Sequence, residues 1–140
     1  MELFYYMFKE EKEMKKLTLV FDLDETLCTK KRPEESYMDV QPITDMIELV
    51  NELHDEGHTI IIETARNMVT QNNNEAKVIK NVGQDTLNWL DKYNVKYDGI
   101  KFAKTYGHLY VDDKSCINDV KEIRKKVKIQ MEKLNRGEMK

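Results

Sequence analysis

The sequence contains few residues that interrupt regular structure or cross-link a chain. Of its 140 residues, two are proline, five are glycine and two are cysteine. This scarcity, together with 35% charged and 40% hydrophobic residues, excludes a low-complexity or disordered chain and predicts a soluble globular protein. The cysteines, Cys28 and Cys116, match neither a metal-binding spacing nor a disulfide framework, so a reduced, cytoplasmic protein is expected.

Long apolar runs are absent as well. The run Leu3 to Phe8 near the N-terminus is too short to span a bilayer and lacks the basic start of a signal peptide, so no membrane association is expected. We interpret residues 1–13 as an extension, either helical or disordered, and residues 14–140 as a single domain. This apolar extension and an amphipathic last helix leave a homo-oligomer open.

The net charge of −3 conceals an uneven distribution. Residues 121–140 hold eight Lys and Arg against three Asp and Glu, whereas the body of the chain is acidic. An acidic body suits a metal site and argues against a broad nucleic-acid surface. Nucleic acid is therefore a disfavoured partner, although the basic terminal helix does not exclude it.

Apolar strand-like runs alternate with helical patterns along the chain. The predicted strands are residues 17–21, the segment HTIIIETAR, and the short segments GIKFA and HLYVDD. Predicted helices follow the first two strands, with Thr44 or Asp45 capping the first, Gly57 ending it, and residues 84–93 forming the second. A last helix starts near Ile117. This order predicts a doubly wound, Rossmann-like α/β domain with a mainly parallel sheet and helices on both faces. The connections are too short to form a separate cap domain.

Polar residues stand where the predicted strands end. Asp22 and Asp24 follow the first strand, Thr64 the second, and Asp112 and Asp113 the last. Because the carboxyl ends of parallel strands open into one crevice, we expect these groups to meet there. Clustered carboxylates suit Mg²⁺, and Lys104 just before the last strand adds a positive charge suited to a phosphoryl group.

The motifs "DLDET", "IIIET", a lysine and "VDD", in this order, resemble those of the haloacid dehalogenase superfamily of phosphatases over roughly residues 15–120. The segments "TARNM", "TLNWLDKYNVKYDGI" and "YVDDK" are similar to small capsule and polysaccharide biosynthesis phosphatases within it. The resemblance implies a Mg²⁺-dependent phosphomonoesterase that acts on a small phosphorylated sugar or related metabolite through an aspartyl-phosphate intermediate.

The same resemblance implies a role for each matching residue. Asp22 is the expected nucleophile and Asp24 the general acid and base, with Thr64 and Lys104 binding the phosphoryl group. The expected metal ligands are Asp22, the backbone carbonyl of Asp24, Asp113 and the adjacent Asp112. The expected substrate-binding residues are Thr26, Thr64, Ala65, Arg66 and Lys104.

Several assignments keep an alternative. Lys101 is the rival of Lys104, which is followed by Thr105 where the family commonly has proline. Either Asn118 or Asp119 could support the metal, because the third acidic residue expected soon after Asp113 is displaced. Arg66 and Asn67, after Thr64, are candidates to line the substrate side, and the alternative for Arg66 is a solvated side chain.

Two other functions fit parts of the pattern. One is a macromolecular phosphatase that acts on a phosphoprotein or on a polynucleotide 3′-phosphate. The other is a phospho-acceptor or binding module similar to a response-regulator receiver. Asp24 together with Thr26 favours turnover over the receiver, because a receiver has no use for an acid two residues after its phosphorylated aspartate.

Overall fold

The computed structural model describes residues 2–3, 16–104, 107–109 and 120–138. The chain divides into two compact units, Met1–Thr105 and Tyr106–Lys140. The elements of the first unit are β1 (Thr18–Asp22), α1 (Thr44–Asp55), β2 (Thr59–Glu63), α2 (Glu75–Lys92) and β3 (Gly99–Lys101). The second contains α3 (Val120–Asn135). No helix in the described ranges is both long enough and apolar enough to cross a membrane.

The three strands form a parallel sheet in the order β1-β2-β3. Asp22 is in register with Glu63, and Glu63 with Lys101, so the carboxyl ends of all three strands lie level at one edge. The predicted α/β, Rossmann-like class with a parallel sheet is confirmed. Helices on both faces of the sheet stay a prediction, because α1 and α2 both pack into one core. The fourth predicted strand, residues 108–113, lies mostly outside the described residues, and 108–109 form no strand.

The main core lies between β2 and the helices α1 and α2. Its fully buried members include Val50, Ile60, Ile62, Trp89 and Leu90. Ile60 and Ile62 are two residues apart and therefore occupy the same face of β2, which is the face that both helices cover. A parallel sheet in sequential order places successive right-handed crossovers on one side, which accounts for this layering.

Two helix starts differ from the predictions. The residue at the N-cap position of α1 is Ile43, which makes no side-chain capping bond, and Thr44 is the first helical residue. Asp45 lies in the first turn, where its Oδ1 accepts a hydrogen bond from the Met46 backbone N–H at 2.9 Å. Helix α2 begins nine residues earlier than predicted, at Glu75 rather than at residue 84. Asn74 caps it by accepting a hydrogen bond from the Lys77 backbone N–H at 3.1 Å.

The predicted end of α1 is confirmed. The helix ends at Asp55, and Gly57 follows with a φ of 95°, a left-handed conformation that glycine adopts without strain. The chain then enters β2, where Asp98 accepts a hydrogen bond from the Ile60 backbone N–H at 2.8 Å.

Residues 23–43, between β1 and α1, form turns and isolated bridges without a helix or a longer strand. The segment is fastened at its far end, where Trp89 Nε1 donates a hydrogen bond to the Val40 carbonyl at 2.9 Å. It holds no folded cap over the carboxyl edge of the sheet.

Candidate active site

At the end of β1, Asp22 and Asp24 flank one apolar residue, Leu23. Leu23, between Asp22 and Asp24, is fully buried, and its backbone N–H continues the ladder by donating to the Glu63 carbonyl at 3.0 Å. Side chains alternate in extended backbone, so burying the middle residue directs both carboxylates to the same opposite side. Glu25 then turns the chain, with a φ of 63°.

Asp22 is the more accessible of the two carboxylates. Its side chain is 45% exposed, and one carboxylate oxygen lies 3.7 Å from Lys104 Nζ. Partial burial raises the pKa of Asp22, the Asp24 charge raises it further, and the Lys104 ammonium opposes both effects. Asp22 thus presents an accessible oxygen nucleophile beside a positive charge.

Asp24 is held at both of its oxygens. Thr64 Oγ1 donates to Oδ2 at 2.9 Å, and Arg66 Nε donates to Oδ1 at 2.8 Å. Thr64 is fully buried and Arg66 is only 3% exposed, so two rigidly placed donors define the orientation of this carboxylate. The Arg66 backbone N–H also donates to Thr64 Oγ1, at 3.1 Å, which fixes the hydroxyl from the other side.

The Arg66 side chain is enclosed by Thr86, Cys28 and Tyr37, and we call these surroundings the niche around Arg66. Its Nη1 donates to Thr86 Oγ1 at 3.1 Å and its Nη2 to the Cys28 sulfur at 3.3 Å. The Tyr37 ring covers the guanidinium, with its centroid 4.3 Å from the central carbon. Such burial is incompatible with a solvated arginine, and a direct contact of Arg66 with substrate remains a prediction.

Burial raises the pKa of the two ionisable groups beside Arg66, the Cys28 thiol and the Tyr37 hydroxyl. It raises the pKa of Cys28 to about 11, against the opposing effect of the Arg66 charge. The pKa of the Tyr37 hydroxyl is raised for the same reason and by the nearby Asp24 charge. Cys28 and Tyr37 therefore remain neutral at physiological pH.

Lys104 reaches Asp22 because the backbone bends after β3. Ala103 has a φ of 63°, and the Lys104 N–H donates to the Thr64 carbonyl at 3.0 Å. Lys101 is an exposed residue of β3, in register with Glu63. The geometry therefore favours Lys104 over Lys101 as the lysine beside Asp22.

Some of the remaining predicted site residues lie within the described ranges, and others lie outside them. Thr26 lies in the turn after Asp24, and Ala65 packs beside a small buried cluster of Met68, Val78 and Val82. Asn67 has a φ of 65° and a buried Nδ2 with no hydrogen-bond partner in the part of the chain that the structure describes. Four predicted residues lie outside the described residues: Asp112, Asp113, Asn118 and Asp119.

A hard cation fits the donors that the described residues supply. The described ranges contain no group of three His, Cys, Asp or Glu residues able to hold a metal, but Asp22 offers a half-exposed carboxylate. Both side-chain oxygens of Asp24 accept hydrogen bonds, whereas no described donor reaches its backbone carbonyl. Oxygen donors of this kind suit Mg²⁺, and Asp22 and the Asp24 carbonyl stay predictions as its ligands.

Sequence reasoning did not identify Cys28 or Thr86 as parts of the site. Thr86 lies on the buried face of α2, four residues from Val82 and from Leu90. A hydroxyl on an otherwise apolar helix face is a signal that a buried polar partner exists. Cys28 gave no comparable signal, because a buried thiol usually behaves as a small apolar side chain.

Comparison with known proteins gives one informative match. No family model and no curated protein matches the chain. A chain of the Pnkp1/Rnl/Hen1 complex is 18% identical, with a TM-score of 0.47, over 72% of this chain and 32% of that one, a likeness too low to assign a family. The crystal structure of an MCSG target from Vibrio cholerae is 34% identical, with a TM-score of 0.65, over 83% of this chain and 99% of that one. The protein therefore belongs to the same family as this Vibrio cholerae protein.

Proposed function

We propose that the protein is a Mg²⁺-dependent phosphomonoesterase that works through an aspartyl-phosphate intermediate. The observation that carries the proposal is the contrast between its paired acids. Asp22 is accessible and lies beside Lys104, as a nucleophile requires, whereas Asp24 is held by Thr64 and Arg66, as a positioned acid and base requires.

The first step transfers the phosphoryl group to the protein. A carboxylate oxygen of Asp22 forms a bond to phosphorus while the bond from phosphorus to the ester oxygen breaks. The leaving oxygen keeps the electron pair and takes a proton from Asp24. Lys104, 3.7 Å from Asp22, offsets negative charge on the phosphoryl oxygens.

The second step releases phosphate. Asp24, now a carboxylate, takes a proton from water, and the water oxygen bonds to phosphorus as the Asp22–phosphorus bond breaks. Asp22 returns as a carboxylate and Asp24 as an acid, so the cycle closes. Asp22, the Asp24 carbonyl, Asp113 and the adjacent Asp112 would hold Mg²⁺, which would supply charge neutralisation for the phosphoryl oxygens.

The proposed substrate is a small phosphorylated sugar or related metabolite. Resemblance to polysaccharide biosynthesis phosphatases supports this class. A macromolecular phosphatase is the second candidate, because the described segment 23–43 forms no folded cap that would keep a large substrate from this edge.

Hydrolysis of p-nitrophenyl phosphate, with and without Mg²⁺, tests the reaction class. We expect Mg²⁺-dependent turnover that falls by roughly 100-fold or more in Asp24→Asn, the contribution typical of a general acid and base. Asp91→Asn, an exposed position on α2, is the matched control and should retain activity. A panel of sugar phosphates, nucleotides and phosphopeptides then distinguishes the substrate classes.

Two results would contradict the proposal. Retention of Mg²⁺-dependent activity in Asp22→Asn would remove the nucleophile assigned here. Stable phosphorylation of Asp22 without turnover on any ester would instead favour the phospho-acceptor function.

A further inference from the structure

Arg66 is a buried charge that the two chemical steps above do not use. Its side chain is 1% exposed, and each of its three nitrogens donates to a different partner: Asp24, Thr86 or Cys28. Burying a guanidinium is unfavourable unless its hydrogen bonds are satisfied, so this arrangement has a cost that a purely apolar core would avoid. The partner that faces the reacting groups is Asp24.

We propose that Arg66 is a positioning residue that reserves one oxygen of Asp24 for proton transfer. This inference rests on the proposed function and specifies how its acid and base works. Arg66 Nε and the Cys28 sulfur, the latter at 3.9 Å, both lie on the Oδ1 side of Asp24, and both belong to buried residues. Oδ1 is therefore occupied by a fixed cation, which leaves Oδ2 as the oxygen for proton transfer.

The contact at Oδ2 is of a different kind. Its partner is the Thr64 hydroxyl, whose oxygen is held by the Arg66 backbone N–H but whose hydrogen can rotate from Asp24 to a phosphoryl oxygen. A guanidinium held at three nitrogens cannot turn in this way. In the first step the proton leaves Oδ2 for the ester oxygen as the phosphorus–oxygen bond breaks, and in the second step water returns a proton to Oδ2.

Thr86, on α2, holds the Arg66 side chain in place. Its hydroxyl proton is donated to the Val82 carbonyl at 2.8 Å, so the oxygen presents a lone pair to Arg66 Nη1. The chain of contacts from the Val82 carbonyl through Thr86 and Arg66 to Asp24 fixes the carboxylate plane relative to a helix. Thr86→Val removes the acceptor and keeps the shape, whereas Thr86→Ser keeps the acceptor.

A leaving-group comparison tests the proposal, because a general acid matters only when the departing oxygen needs a proton. The measured quantity is the single-turnover rate of phosphoryl transfer from phenyl phosphate and from 2,4-dinitrophenyl phosphate. For Arg66→Met we expect roughly a 100-fold loss with phenyl phosphate and less than about a 10-fold loss with the dinitrophenyl ester. Arg136→Met, at an exposed arginine, should change neither rate.

The outcomes separate this proposal from the proposed function. Equal losses on both esters in Arg66→Met would overturn the positioning role while leaving the phosphatase intact. A wild type without turnover on either ester would overturn the phosphatase function, and the positioning role with it.

A second pair of variants covers the case in which Arg66→Met does not fold, as judged by circular dichroism. Thr86→Val should then show the same selective loss on phenyl phosphate, by roughly 10-fold, and Thr86→Ser should restore the rate. An unchanged rate in Thr86→Val would overturn the proposal.

Discussion

Two ion pairs of nearly equal length lie in contrasting surroundings. Lys96 Nζ is 2.7 Å from Asp55, with both side chains about half exposed, whereas Arg66 Nε is 2.8 Å from Asp24 and the arginine is 1% exposed. Water and salt screen the first pair, which leaves it little net free energy. Removing one partner of the second leaves a buried charge, so equal distances correspond to unequal energies.

Removal of one carboxylate from each pair should give the largest difference in stability. Asp24→Ala leaves the Arg66 guanidinium buried without its counter-charge, and we expect a loss of about 3 kcal/mol in the free energy of unfolding. Asp55→Ala should cost less than about 1 kcal/mol, because Lys96 is returned to water. Urea denaturation at neutral pH measures both values. Equal losses would show that burial does not distinguish the two pairs.

Chemical modification of Cys28 tests whether the surroundings of the buried Arg66–Asp24 pair exclude solvent. Burial raises the pKa of this thiol to about 11, so the reactive thiolate is scarce below that pH and increases as the pH approaches it. We expect alkylation by iodoacetamide at pH 8 to be at least about 100-fold slower in the folded than in the urea-unfolded protein. Site-resolved mass spectrometry follows Cys28 alone. Comparable rates in the two states would mean that the niche around Arg66 is open to solvent.

The smallest expected effect compares two hydrogen bonds of helix α2. Thr86→Val leaves a buried guanidinium nitrogen without its acceptor, and we expect a loss of about 1 kcal/mol in the free energy of unfolding. Gln84 donates to Asn88 at 2.9 Å on the exposed side of the same helix. Gln84→Ala should change stability by less than about 0.5 kcal/mol. Thermal unfolding monitored by circular dichroism compares the two variants, and a larger loss in Gln84→Ala would reverse the expected order.

The fold was largely predictable because its strands correspond to local apolar runs in the sequence. The apolar runs before Asp22 and around Ile60 predict β1 and β2, and their alternation with helical periodicity predicts parallel pairing. The starts of the helices were less predictable. Asn72 and Asn73 adopt positive φ, and only this local geometry brings Asn74 to the cap position of α2. A run of three asparagines does not reveal which of them is the cap.

The site was predictable where it depends on topology and unpredictable where it depends on packing. The rule that carboxyl ends of parallel strands meet correctly places Asp22, Asp24, Thr64 and Lys104 at one edge. The niche around Arg66 follows no such rule. Its contacts with Cys28 and Thr86 join residues 38 and 20 positions apart, and the relative placement of three elements decides which atoms meet. Asp112 and Asp113 remain predictions as metal ligands.

The burial of Leu23 between the two acids has an evolutionary consequence. Deletion of one residue from β1 would rotate every later side chain to the opposite face, moving both carboxylates into the core and the leucine into water. Substitutions within the strand alter packing by degrees, but a change in its length would remove both carboxylates from the edge of the sheet and disrupt the core as well. Point substitutions are therefore the variation that this strand can tolerate, and length variation should be confined to connections such as residues 29–41.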